Sequence, residues 1–189
     1  MSTTNKKVSI FSYYGPYKGL LALDLFFATL GASVTLVMPL IVRYITGTVI
    51  YEESGAAWQT IVRLSVLMLV LLLVELGCNF YITYWGHLMG ARMEYGMRND
   101  IFGHYQKLAF TFYDNQKVGQ LMSRVTNDLF DITELLHHGP EDIIISLIKI
   151  VGALVILGHI NMRLTILTAC FLPFILAFAL YLNKRMKRV

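Results

Sequence analysis

The residues best suited to chemistry are ionisable groups set in or beside long apolar runs. His137-His138-Gly139-Pro140-Glu141-Asp142 gathers two imidazoles and two carboxylates in six positions, the side-chain types that ligate divalent metals. Adjacent histidines point about 100° apart on a helix, and the Gly-Pro pair implies a bend. The stretch therefore reads as a polar turn at a membrane entry, and no metal site is expected in the chain. Glu75 and Lys149 are a second candidate, since each sits deep in an apolar run where a lone charge is expensive. Counted from the outer ends of their runs, they lie about 22 Å and about 14 Å down. They could pair, line a substrate cavity, or leave Lys149 to snorkel. Cys78 and Cys170 both fall inside apolar runs, without paired or metal-type spacing, and read as small buried hydrophobes. Gly86-x-x-x-Gly90 matches a helix close-packing pattern at a membrane edge. Catalytic Ser-His-Asp or Cys-His arrangements are not recognisable, and catalysis by this chain is not expected.

The elements that must carry these residues are long apolar helices. Of the 189 residues, 56% are hydrophobic and 15% charged, and the mean hydropathy is +0.59. Soluble domains average about 45–50% apolar and about 25% charged, so a soluble enzyme is excluded; disordered chains are poorer still in apolar residues. Residues 19–42, 60–85 and 164–182 are each long enough to span a bilayer core, which takes about 17–25 residues of helix. Residues 143–158 fall slightly short and must borrow a turn from polar neighbours. The roughly ten-residue alternation of barrel strands is missing. The reading is an all-α membrane protein with four spanning helices.

Charge sets the orientation. Lys6, Lys7 and Lys18 precede the first span; Arg92, Arg98, Lys107, Lys117 and Arg124 lie between the second and third; Lys184, Arg185, Lys187 and Arg188 follow the fourth. The opposite side holds Arg43, Arg63 and Arg163, with Glu52 and Glu53 in its longer loop. Lysine and arginine favour the cytoplasmic side, so both termini and the central segment are expected there. The net charge of +4 then follows from topology, and no nucleic-acid partner is needed to explain it. The first apolar run is too long for a cleaved signal and lacks a small-residue cleavage site, so it stays as an anchor.

The central segment, residues 86–142, continues helical periodicity from both sides. Met93, Met97, Ile101, Tyr105 and Leu108 form one apolar stripe, and Leu121, Val125, Leu129, Ile132 and Leu136 form another. The second span is expected to run on uninterrupted to about Lys107 and the third to return beside it, as a cytoplasmic helical hairpin. At its tip Asp114 and Asn115 could cap a helix, and Gly119 could permit the reversal of direction. Phe112 and Tyr113 stand where water would favour polar side chains; they either pack on the hairpin's own base or dock into another protein.

Arg98-Asn-Asp-Ile-Phe, Phe112-Tyr-Asp and Val118-Gly-Gln-Leu-Met-Ser-Arg-Val-Thr-Asn-Asp128 together resemble the first intracellular loop of ATP-binding-cassette (ABC) exporters. The resemblance covers nearly the whole chain. Phe11 to Lys18 is similar to the interfacial elbow helix, and Asn161-Met-Arg-Leu-Thr165 to the external turn into the fourth span. Val118 and Gln120 depart from the family's usual Thr and acidic residue, and Met162 stands where an aromatic is common. The resemblance implies that residues 1–18 form a cytoplasmic tail and elbow helix. Residues 19–189 would be the first four spans of a six-helix transmembrane domain, in the plasma (inner) membrane. It implies that Phe112, Tyr113 and Asp114 begin a coupling helix seated in a groove of a nucleotide-binding domain. A P-loop needs G-x-x-x-x-G-K-[ST] to hold phosphates, and no Gly-Lys pair occurs. This chain is thus expected to bind no cofactor; ATP and Mg²⁺ would be bound by a partner nucleotide-binding domain absent from it. A second transmembrane half and lipid would be the other partners. The expected function is the permease portion of an exporter working by alternating access. A membrane scaffold that docks a soluble protein, and an inactive fragment, are the alternatives.

Overall fold

A computed structural model of the protein describes residues 10–51, 56–114 and 116–186. Lys6, Lys7, Glu52, Glu53, Lys187 and Arg188, used above for orientation, and Asn115, suggested as a cap, lie outside the described residues. Four helical stretches among the described residues are long and apolar enough to cross a membrane. The chain divides into two compact units, Met1–Ile145 and Ser146–Val189.

The first unit starts with a 3-10 helix, Ile10–Tyr17, where an elbow is expected, followed by α1, Lys18–Gly47. Thr29, Ser33 and Thr46 sit inside an apolar helix because each hydroxyl donates to the carbonyl four residues back, at 2.8, 2.7 and 3.0 Å. Such internal bonds satisfy polar groups where lipid offers no partner. A 3-10 turn, Val49–Tyr51, precedes α2, Ala56–Tyr81. Helices α1 and α2 approach closely through small residues: Ala28, Gly31 and Ala32 are buried on α1, and a Cβ built on Gly31 would lie 3.5 Å from Cys78 Cβ. Phe27 and Tyr81 add a ring contact at 4.3 Å between centroids.

The second span does continue far past its apolar run, but not as uniform α-helix. A π turn, Ile82–Gly86, joins α2 to α3, His87–Tyr105, and the helical stretch runs 49 residues in all. The return arm is α5, Val118–Ser123, a second π turn, Arg124–Asp128, and α6, Leu129–Ile160. The tip carries a five-residue helix, α4, Phe110–Asp114.

Core packing between the arms follows the two stripes with one correction. Met89, Met93 and Met97 face Leu129, Leu136 and the elbow's Tyr14 in one buried cluster, with Ile101 packed against it; Leu121 and Val125 are also buried. Ile132 instead remains 38% exposed, and Thr133 takes the buried place at 3%. A polar residue is tolerated there because its hydroxyl reaches the carbonyls of Leu129 and Phe130, at 3.1 and 2.8 Å.

Three local expectations at the tip and at Gly139-Pro140 are also revised. Asp114 ends α4. Gly119 lies inside α5, and the residue outside its start, Lys117, is extended with φ −78° and ψ 106°; no described glycine has positive φ. The Gly139-Pro140 pair makes no separate turn, since α6 runs through it. Proline has no N–H for the carbonyl four residues back, which is Leu136 O, and the Tyr14 hydroxyl donates to that atom.

In the second unit, α6 ends at Ile160 and α7, Met162–Met186, begins two residues on. Asn161 caps α7: its Oδ1 accepts from the N–H groups of Arg163 and Leu164, at 3.1 and 3.3 Å. Thr165 is the one buried residue of α7 among those described. Phe171, Phe174, Ile175 and Phe178 are more than half exposed, and Cys170, expected to be buried, is exposed. That much apolar surface is compatible with lipid or with further helices, and not with water.

Candidate coupling hairpin and polar cluster

Residues of the quoted motifs tie the hairpin's arms to each other and to the elbow. Arg98 pairs with Glu94 one turn back, and its Nε donates across to Val125 O at 3.4 Å, in the π turn of the opposite arm. Asp100 accepts a hydrogen bond from the Tyr13 hydroxyl at 2.7 Å, tying the elbow to α3. Of these bonds, the one from Arg98 to Val125 links the two arms, across 27 positions of sequence.

At the tip, Phe112 and Tyr113 are half-buried and stack edge to face with ring centroids 5.3 Å apart. The Tyr113 hydroxyl donates to Tyr105 O at 2.5 Å, a carbonyl at the end of α3 that also accepts from Leu108 N–H at 3.0 Å. Asp114 is exposed beside them. Among the described large hydrophobic residues the most exposed is Phe110, at 90%, which sequence reasoning passed over. Tyr113 thus closes the tip on its own base, and Phe110 presents apolar surface outward.

The two charges within apolar runs belong to different units. Glu75 is half-buried on α2, and its Oε1 lies 2.9 Å from the Thr35 hydroxyl of α1. That hydroxyl also lies 3.0 Å from Gly31 O; with one proton, it can serve one acceptor fully or be shared. Lys149 belongs to the second unit, on an exposed face of α6.

A third group assembles where the hairpin meets the membrane segments. His137 and Glu141 are one turn apart on α6, and Asp24 comes from α1; a ligand atom of each lies within 4.8 Å of the other two. All three are buried, with exposures of 1% for Asp24, 1% for His137 and 7% for Glu141. Gly86 and Gly90 form the seat of the imidazole. A Cβ on Gly86 would fall 2.2 Å from His137 Cε1, and one on Gly90 would fall 3.6 Å from His137 Cβ. The glycine pair read from the sequence as a helix-packing motif is therefore a notch for one histidine. Beside it, His87 and His138 lie with ring centroids 4.9 and 4.2 Å from that of His137. The sequence signal was the i, i+4 spacing of His137 and Glu141, which puts them on one helix face; attention to the adjacent pair His137-His138 hid it.

Fold and hairpin define a multi-pass α-helical membrane protein whose helical arms extend beyond its apolar segments. Residues 21–189 match the ABC transporter transmembrane region, and the chain belongs to that family. It is 43% identical over 178 residues to the uncharacterized ABC transporter ATP-binding protein YwjA of Bacillus subtilis (strain 168), covering 94% of this chain and 30% of YwjA. It is 29% identical over 171 residues to YknU of the same organism, an uncharacterized ABC transporter ATP-binding protein, covering 89% of this chain and 28% of YknU. YgaD, also of B. subtilis and named as a candidate multidrug export ATP-binding/permease protein, is 23% identical over 161 residues, with 84% and 28% covered. The chain thus spans less than a third of the length of these relatives.

Proposed function

We propose that the chain is the permease portion of an ABC-type exporter. Its spanning helices contribute to the substrate pathway, and its hairpin passes the closure of ATP-binding domains to them. The observation that carries this reading is the hairpin itself. Its arms continue the second and third spans as helix, are pinned together by Arg98, and end in the short α4 with Phe110 exposed. A force-transmitting element must be stiff, must protrude and must offer an apolar anchor to a pocket. The names of YwjA and YgaD, which include ATP binding, fit an engine of that kind.

On this reading ATP and Mg²⁺ are bound by a nucleotide-binding domain, ATP hydrolysis does not occur in this chain, and a second transmembrane half completes the cavity. The membrane is the plasma (inner) membrane, with the hairpin and both termini cytoplasmic, as the distribution of lysine and arginine favours. Phe112, Tyr113 and Asp114 make the coupling contact together with Phe110.

The test is made in the complete transporter, by measuring transport and ATP turnover together in proteoliposomes. Replacing Phe112 and Tyr113 by Ala should lower transported substrate per ATP at least about tenfold, roughly 1.4 kcal/mol of lost coupling, while membrane insertion is kept. Tyr113→Phe removes only the bond to Tyr105 O and should have a small effect. Unchanged transport per ATP in the double variant would remove the docking role.

A further inference from the structure

The cluster of Asp24, His137 and Glu141 holds polar atoms that the protein leaves without partners. Both carboxylate oxygens of Asp24, both ring nitrogens of His137, and Glu141 Oε2 are buried and make no hydrogen bond. Buried polar groups are nearly always paired, and buried charges are paired or coordinate a metal. No lysine or arginine among the described residues forms an ion pair with either carboxylate. His138 Nδ1 stands 3.8 Å from Glu141 Oε2, too far for a hydrogen bond.

We propose that Asp24, His137 and Glu141 form a buried site for one divalent first-row transition-metal ion, such as zinc. Two carboxylates and a neutral imidazole offset the ion's two charges and supply a mixed oxygen and nitrogen donor set. That set suits zinc, manganese, iron or cobalt better than calcium or magnesium, which prefer all-oxygen surroundings, or copper(I), which prefers sulfur. The donors converge to within 4.8 Å. Around an ion with bonds of about 2.1 Å, tetrahedral ligands stand about 3.4 Å apart, so small side-chain adjustments close the shell. An imidazole for a fourth position is near: His87 shares a second cluster with His137 and His138. His87 Nδ1 lies 2.8 Å from Thr83 O, so with the proton on Nδ1 the ring is oriented as metal-ligating histidines are, leaving Nε2 free. Because Asp24 lies on α1 and the other two on α6, the ion would join the first span to the inner end of the third.

The site is tested on the tag-free full-length protein in nanodiscs, stripped with chelator and dialysed against Zn²⁺, with Mn²⁺ and Co²⁺ in parallel. Metal per chain is read by inductively coupled plasma mass spectrometry, and Co²⁺ geometry by its visible absorption. One zinc per chain is expected, with a loss of affinity of at least tenfold in Asp24→Asn and in Glu141→Gln, and none in the control His104→Ala. Both carboxamides keep the side-chain volume, so if one variant does not fold the other still reports. Monodisperse wild-type protein that retains none of the three metals would overturn the site. So would zinc bound equally well by Asp24→Asn and Glu141→Gln. Binding lost on His87→Ala or His138→Ala but kept in both carboxamide variants would place the ion on the three imidazoles and reject the site.

Discussion

The hairpin tip and the cluster near its base are built in opposite senses. At the tip an aromatic side chain, Phe110, stands 90% exposed, while the polar hydroxyl of Tyr113 is turned inward to a backbone carbonyl. At the base, carboxylates and an imidazole are buried among helices, while apolar side chains such as Ile143 and Leu147 face outward on the same helix α6. Each arrangement is unfavourable in isolated chain and water. The tip lacks a cover for its apolar surface; the base lacks partners for its polar atoms. The difference indicates what each requires, an apolar pocket in one case and a cation or protons in the other.

Substitutions can break or sharpen this contrast. The largest effect is expected from Gly86→Leu, because the new side chain must occupy the space of the His137 ring. Overpacking a closed site typically costs about 1–3 kcal/mol, and here the upper end is expected, read as a shifted unfolding midpoint in mixed micelles. A variant as stable as the parent would show that the glycine notch does not hold the imidazole.

Tyr14→Phe comes next. It takes the hydroxyl away from Leu136 O, which Pro140 cannot serve, and an orphaned buried carbonyl costs about 1–3 kcal/mol. Pro140→Ala in the same chain returns an N–H to that carbonyl, so the pair should recover at least about 1 kcal/mol relative to the sum of the singles. Additive losses would mean that Tyr14 acts by packing alone.

Phe110→Ser is expected to do least to the fold, within about 0.5 kcal/mol, since it touches an exposed position. Its effect should appear in transport per ATP. A marked loss of stability instead would make Phe110 part of the hairpin's own core, and the contrast between tip and base would fail.

Much of the architecture was readable along the chain. The apolar runs announced the spans because lipid selects composition and length, both local properties. The methionine stripe on the outgoing arm, with Leu121, Val125, Leu129 and Leu136 on the return arm, was legible because helical packing repeats every three to four residues. Thr133 escaped, since hydrophobic patterning ignores a hydroxyl that is satisfied by its own helix. The π turns at Ile82–Gly86 and Arg124–Asp128 also escaped, because one extra residue in a turn leaves no distinctive composition. The continuity of α6 through Pro140 depended on a donor from the elbow, far away in sequence.

The candidate sites divide along the same line. The aromatic tip between two amphipathic stripes, and the motifs that identify the family, were written in the sequence by itself, as was the all-helical membrane class. Which aromatic faces outward, that Glu75 meets Thr35, and that Asp24 joins His137 and Glu141 were decided only by the tertiary structure. Those outcomes depend on helices crossing at particular depths and rotations. Such depths and rotations are set by contacts like Ala28, Gly31 and Ala32 beside Cys78, and His137 in the notch of Gly86 and Gly90, between residues that no local pattern connects.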